Sequence, residues 1–104
     1  MINLLTTSKK GKEGMNGSFE LNRLEYEILE TLYATNSIDR FHGMTITEIM
    51  EDNGGTLGAR MTIYKKMKKL IGAGYIQKGV TDNHADTFYL LQRAIKTIEG
   101  GKEV

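Results

Sequence analysis

Between Gly58 and Lys78 the chain carries six of its fourteen Lys and Arg residues and not one Asp or Glu. Within this stretch Ile63, Met67 and Leu70 recur at a spacing that places them on one side of a helix. The opposite side is largely cationic and carries Met61, Lys65 and Lys68. A helix that buries its apolar side and turns lysines outward suits the groove of a nucleic acid duplex. The pattern predicts a DNA-recognition helix, although an ordinary solvated helix has the same kind of surface.

Charge is segregated along the chain. Residues 19–52 hold eight acidic and two basic side chains, whereas residues 58–78 hold six basic ones, although the net charge is only +1. Such segregation is expected of a protein in which one face approaches phosphates and another does not.

Composition excludes several other classes of function. With 104 residues there is room for one domain, and without cysteine there is no disulfide or thiolate metal site. His42 and His84 lie too far apart to form a helical metal pair, so we expect no metal and no cofactor. The run from Asn53 to Gly58 lacks the Gly-Lys-Ser/Thr end of a phosphate loop, and no catalytic residues are recognisable, so the chain is not expected to be an enzyme. No apolar run approaches the roughly 20 residues that span a bilayer. We therefore expect a cytoplasmic, DNA-associated protein and no membrane contact.

The first half of the chain predicts a flexible arm followed by two helices. Residues 1–18 are expected to form the arm, residues 19–99 the folded domain and residues 100–104 a tail. The first helix should start after Asn22 as N-cap and end near Ala34, with a solvent-facing side formed by Glu25, Glu27 and Glu30. In the connection that follows, we expect Ile38 and Phe41 to pack onto the core.

The second half predicts a short helix, the basic helix and a hairpin. Thr45 and Glu48 form a capping box that starts the short helix. The basic helix should run from Leu57 or Gly58 to Ile71. Tyr75–Lys78 and Thr87–Leu90 should pair as strands around a turn at Asp82-Asn83, and a last helix should cover residues 92–99. The predicted fold class is α+β, mainly α, with three helices, a two-stranded hairpin and a short C-terminal helix.

This order of elements resembles the winged helix-turn-helix domains of small bacterial and phage regulators. The most specific match, from Met61 to Ile76, is similar to the recognition helix and first wing strand of MarR-like and PadR-like repressors. The resemblance covers about residues 21–91 and implies that DNA contacts come from Thr62, Tyr64, Lys65 and Lys68. Lys66, Lys69 and Arg60, which lies in the first turn, join these candidates because they are cationic and lie on the same helix.

The sequence departs from that pattern at two places. The segment between the second and third helices is about three residues longer than a tight helix-turn-helix allows, and it contains Asn53-Gly54-Gly55. The expected wing tip carries Asp82, Asn83, His84 and Asp86, where a DNA-contacting wing usually carries Lys or Arg. We therefore expect the wing tip to add little to DNA affinity, or to meet a protein partner.

The leading hypothesis is a homodimer that binds double-stranded DNA sequence-specifically as a transcriptional regulator of the repressor type, with the first and last helices forming the dimer surface. One alternative is the centromere-binding adaptor of a plasmid or phage partition system, whose acidic wing or first helix would face a protein partner. Another is a winged-helix interaction module that binds no DNA and turns its lysines toward an acidic protein.

Overall fold

The computed structural model describes residues 21–102, which form four helices and one two-stranded antiparallel sheet. Their order and bounds are α1 Arg23–Ala34, α2 Ile46–Asp52, α3 Arg60–Gly72, β1 Ile76–Lys78, β2 Phe88–Leu90 and α4 Gln92–Lys102. Three helices followed by a hairpin and a fourth helix form a winged helix-turn-helix, which confirms the predicted fold class. The arm predicted for residues 1–18 lies outside the described residues.

Helices α1 and α2 both begin with a reciprocal capping box. The Asn22 side chain accepts a hydrogen bond from the Glu25 amide, and the Glu25 carboxylate accepts one from the Asn22 amide. Thr45 and Glu48 make the same pair of bonds at the start of α2. Each box satisfies two amides that a helix N-terminus leaves without partners. Both predicted start positions are confirmed.

The elbow between α2 and α3 spans residues 53–59 and accounts for the extra length seen in the sequence. Its three glycines, Gly54, Gly55 and Gly58, have φ values of 63°, 79° and 101°. Leu57 belongs to this elbow and packs into the core, so it does not open the helix as predicted. Helix α3 instead begins at Arg60, after Ala59 as N-cap.

Helix α3 ends in a Schellman motif. The amide of Tyr75 donates to the carbonyl of Leu70 over 3.0 Å, and the amide of Gly74 donates to that of Ile71 over 3.1 Å. Gly74 has a φ of 82°, a left-handed conformation in which a Cβ would be strained. The motif turns the chain directly into β1, which places the wing beside α3.

The core collects apolar side chains from every helix and from both strands. The α3 stripe of Ile63, Met67 and Leu70 has no solvent exposure. It packs with other buried side chains, among them Ile28, Leu29, Leu32, Ile49, Ile76, Leu90 and Ile98. Burying the stripe fixes the rotation of α3 and therefore determines which of its side chains point outward.

The wing is a short hairpin. Ile76 pairs with Leu90 and Lys78 with Phe88, and Met44 extends the sheet through an isolated bridge to Phe88. At the tip, Asp82 and Ala85 form a second isolated bridge across a two-residue turn. The residues in that turn, Asn83 and His84, have φ values of 51° and 69°. Positive φ at both central positions is typical of a type I′ turn, whose twist matches that of the strands.

The connection between α1 and α2 differs from the prediction made from sequence. Ile38 and Phe41 were expected to pack on the core, yet they are 43% and 68% exposed. The loop is held by polar contacts instead, because the carbonyl of buried Ser37 accepts from the Leu90 amide over 2.8 Å. Arg40 covers the Phe41 ring, with its guanidinium carbon 5.3 Å from the ring centre.

Helix α4 was expected to end at Glu99, but it continues through Gly100 to Lys102. A glycine costs a helix only about 1 kcal/mol, so it does not by itself end one. Ala94 and Ile98 are buried, and the Tyr33 hydroxyl donates to the Glu99 carboxylate over 2.9 Å. Packing against the core and against α1 therefore stabilises α4, and the helix continues past the first glycine.

Glu25 joins α1 to α3 and was wrongly placed on the solvent side of α1, because it has no solvent exposure. One carboxylate oxygen accepts from the Asn22 amide over 2.9 Å. The other lies 3.2 Å from Lys66 Nζ and 3.3 Å from Lys69 Nζ. Burial raises the pKa of the Glu25 carboxyl group, but the Asn22 hydrogen bond and the two lysines outweigh burial and hold that pKa below its ordinary value.

Replacing Ile63 by Lys is expected to unfold the domain, because a charge would enter a site with no solvent exposure. The matched control is Met61→Lys, which adds the same charge on the same helix at a position that is 64% exposed. Circular dichroism and thermal denaturation should show a folded control and an unfolded Ile63→Lys chain. A folded Ile63→Lys protein would mean that α3 is rotated about its axis.

Replacing Glu25 by Gln is expected to cost about 1 to 3 kcal/mol at neutral pH, since two bonds from charged groups are weakened. Because the folded pKa of Glu25 is lowered, its contribution is present above the ordinary value of 4.5 and is lost as the pH falls through the folded value. Denaturant unfolding from neutral pH to acid should therefore show the two proteins converging below about pH 4.5. Glu30→Gln, at an exposed position of α1, is the control and should change little.

Candidate nucleic-acid interface

The outer side of α3 is formed by side chains that the buried stripe leaves in solvent. Met61, Thr62, Tyr64, Lys65 and Lys68 are all exposed. Lys68 Nζ lies 5.7 Å from the centre of the Tyr64 ring, a cation–π distance that aligns the two side chains along the helix. Within residues 21–102, Lys65 and Lys68 have no carboxylate partner. Four of the seven candidate residues therefore share one open, cationic surface.

Lys66 and Lys69 lie on the flank of α3 that faces α1. Their ammonium groups share the buried carboxylate of Glu25, and their side chains are 24% and 52% exposed. The lysines of α3 therefore divide into an exposed pair, Lys65 and Lys68, and a paired set, Lys66 and Lys69. The sequence pattern placed all four on one helix without separating them.

Arg60 lies at the N-terminus of α3 and reaches back to α2, where its Nη1 donates to Thr47 Oγ1 over 2.9 Å. Among the described residues, no side chain caps this end of the helix, since Ala59 provides none. The first amides of α3 therefore remain open to solvent beside an arginine. The positive end of the helix dipole and the guanidinium group both favour an anion at this position.

A cleft of about 530 Å³ separates the start of α3 from the wing. Its lining combines apolar side chains with two charged ones, and comprises Thr45, Ile46, Arg60, Met61, Tyr64, Ala85, Asp86 and Phe88. The cleft places the N-terminus of α2, the outer side of α3 and the wing around one open space. The candidates predicted from sequence did not include Thr45 and Thr47. Thr45 was already explained as the N-cap of α2, and no sequence pattern marked Thr47 as part of a binding site.

The wing presents both signs of charge. Asp86 lies 3.3 Å from Lys78 Nζ, so that pair is largely self-compensated. Asp82, at the tip, is exposed and has no cationic partner in the part of the chain that the structure describes, and His84 is exposed beside it. The acidic tip predicted from sequence is thus formed chiefly by Asp82.

A second groove, of about 600 Å³, lies on the α1–α2 side of the molecule. Its lining comes entirely from residues that precede α3, and comprises Thr35, Ser37, His42, Gly43, Met44, Glu48, Glu51 and Asp52. Beside it, His42 Nδ1 lies 2.8 Å from Asp39, and this hydrogen bond lowers the pKa of the Asp39 carboxyl group. The groove is acidic where the α3 surface is basic.

Two other kinds of site have no counterpart in the part of the chain that the structure describes. Among residues 21–102, no three His, Asp or Glu side chains are grouped so that they would hold a metal ion. In the same part of the chain, no helix combines the length and apolar character needed to cross a bilayer.

Comparisons by sequence find no relatives, since no protein-family model and no curated protein matches this chain. Comparisons by structure find several. TubR from Bacillus megaterium pBM400 superposes with a TM-score of 0.64 and 18% identity over 77% of this chain and 88% of its own. The DNA-binding TubR fragment from Clostridium botulinum gives a TM-score of 0.61 and 21% identity over 79% and 98%.

The third similar structure is the ferric uptake regulator from Francisella tularensis with iron, with a TM-score of 0.54 and 19% identity. It is matched over 73% of this chain and 56% of its own. At these identities the likeness establishes the fold, which is the winged helix-turn-helix of a small protein.

Proposed function

We propose that this chain is a homodimeric, sequence-specific double-stranded DNA-binding protein that regulates transcription. The observation that carries the proposal is the exposed pair Lys65 and Lys68, on a helix whose other side is anchored in the core. Cations that no carboxylate of residues 21–102 neutralises are available for phosphates, and a rigid helix presents them at fixed positions. The likeness to structures named as DNA-binding and as a regulator supports the same conclusion.

Each exposed side chain has a role that follows from its chemistry. Lys65 and Lys68 neutralise phosphates, while Thr62 and Tyr64 contact base edges or thymine methyl groups. Arg60 and the open amides beside it hold a further phosphate at the start of α3. Lys66 and Lys69, on the flank of α3 that faces α1, contribute less, because Glu25 already engages them.

A dimer suits this arrangement because one short helix offers few base contacts. Two copies that bind two half-sites gain affinity and specificity together. Helices α1 and α4 pack against each other in the monomer. Their outer surfaces, which face away from the core, are the proposed dimer surface. In this arrangement the acidic tip at Asp82 adds little to the attraction for phosphates, and the protein is a DNA-associated component of the cytoplasm.

A second candidate is the adaptor of a DNA partition system, which coats repeated sites and recruits a motor protein. The acidic groove between α2 and the connection that precedes it favours this role, since the groove offers a surface for a protein partner that is separate from α3. Binding to tandem sites distinguishes the two roles. Cooperative coating of repeats, measured by footprinting, supports the adaptor, whereas occupancy of isolated operators supports the regulator.

Replacing Lys65 and Lys68 by Gln is expected to weaken binding to every duplex. The slope of log K against log salt should fall by about 0.9 for each lysine, which is about 1.8 for each bound protomer and about 3.6 for the proposed dimer. Fluorescence anisotropy over a salt series measures both quantities. The control is Arg40→Gln, at an exposed position of the connection between α1 and α2 and outside the proposed dimer surface, which should leave the slope unchanged. Equal slopes for the double variant and the unmodified chain would rule out this surface as the DNA contact.

A further inference from the structure

Among the described side chains, Glu25 is the one charged group that lies buried. Both oxygens of its carboxylate have partners within the protein. One accepts a hydrogen bond from the Asn22 amide, and the other lies beside the ammonium groups of Lys66 and Lys69. The capping box requires only an acceptor at this position, which glutamine provides equally well. The negative charge of Glu25 therefore does something that the cap does not need, and its effect falls on two lysines of α3.

We propose that Glu25 is a specificity-determining residue that withholds Lys66 and Lys69 from DNA phosphates. This inference rests on the proposed DNA-binding function of α3. By engaging two of the four lysines, Glu25 limits the sequence-independent attraction of the helix to Lys65 and Lys68. The contacts that read base edges, at Thr62 and Tyr64, are left as they are.

The competition between Glu25 and a phosphate favours Glu25. A lysine that moved to a phosphate would leave a buried carboxylate with one partner fewer, and an uncompensated buried charge is strongly unfavourable. The phosphate lies at a solvated, salt-screened surface, where an ion pair is worth less. Lys66 is only 24% exposed, so the move would also uncover its aliphatic chain, while Lys69, half exposed, is held less tightly.

Withholding cations has a consequence for site selection. Phosphate neutralisation strengthens binding to every sequence alike, whereas base contacts strengthen binding only to the correct one. Since genomic DNA offers a vast excess of competing sites, a lower nonspecific affinity increases the share of protein on its specific site. Glu25 thus raises the ratio of specific to nonspecific binding without contacting DNA.

The test compares Glu25→Gln with Glu51→Gln, which makes the same change in net charge at an exposed position of α2, outside the proposed dimer surface. The probe is a short duplex of random sequence. We expect Glu25→Gln to bind it more tightly at low salt and to steepen the salt slope by up to about 1.8 for each bound protomer, relative to the control. Between about 50 and about 200 mM salt this is roughly a tenfold larger loss of affinity for each bound protomer. Equal slopes for the two variants would overturn the proposal.

A triple variant, Glu25→Gln with Lys66→Gln and Lys69→Gln, assigns the effect to these two lysines. It leaves no buried charge behind, and circular dichroism checks that it is folded. Its salt slope should return to that of the unmodified chain. If the triple variant kept the steeper slope, the extra charge would come from elsewhere and Glu25 would not act through Lys66 and Lys69.

Lysine reactivity separates a failure of this inference from a failure of DNA binding. With limiting acetic anhydride and mass spectrometry, Lys66 and Lys69 should react more slowly than Lys65 and should gain in rate only in Glu25→Gln. Should the unmodified chain bind no duplex, both proposals fail, even with this reactivity pattern intact. Should it bind DNA while Glu25→Gln leaves reactivity and slope unchanged, only the role of Glu25 is lost.

Discussion

The burial of Ile63, Met67 and Leu70 is the constraint on which the rest of the structure depends. These three side chains lock the rotation of α3 against α1, α2 and the wing, and rotation decides the environment of every lysine on that helix. A rotation of one residue step, about 100°, would bury a lysine and expose an isoleucine. The basic surface is therefore a by-product of core packing. Its geometry is as rigid as the core itself, which is what a surface that reads a regular duplex requires.

Once α3 is fixed in rotation, Glu25 receives its two α1-facing lysines, Lys66 and Lys69. The residue serves two structures at once, since it caps α1 and compensates two cations of α3. Neither role alone explains a buried carboxylate. The cap would tolerate an uncharged side chain, and exposed lysines would be solvated without a partner. Their combination in one carboxylate couples the start of the first helix to the charge state of the proposed DNA surface.

The fold was predictable from sequence because its signals are local. Asn22, the capping box at Thr45 and Glu48, and Gly74 each mark a helix end through bonds made within a few residues. The buried side of α3 was equally predictable, because its apolar residues recur at helical spacing. Glu25 was misplaced because a charged residue between apolar ones is normally solvated, and only the three-dimensional approach of α3 supplies its partners. The pattern Asn22-x-x-Glu25 was the available signal, since it marks a capping box and ties the carboxylate to the helix start.

The errors at Ile38 and Phe41 have a related origin. Hydropathy predicts burial, but the connection from α1 to α2 is held by the Ser37 carbonyl and by Asp39, which leaves its apolar side chains outside.

The residues of the candidate surface could be predicted from sequence, but the differences in availability among its lysines could not. Sequence periodicity assigns four lysines to one helix and counts them alike, whereas ion pairing makes two of them unequal to the others. Electrostatic inequality of this kind depends on side chains 41 positions apart in the chain, as Lys66 and Glu25 are. A distance of that kind has no signature in composition or spacing, so the effective charge of a basic helix has to be read from the acids that pack behind it.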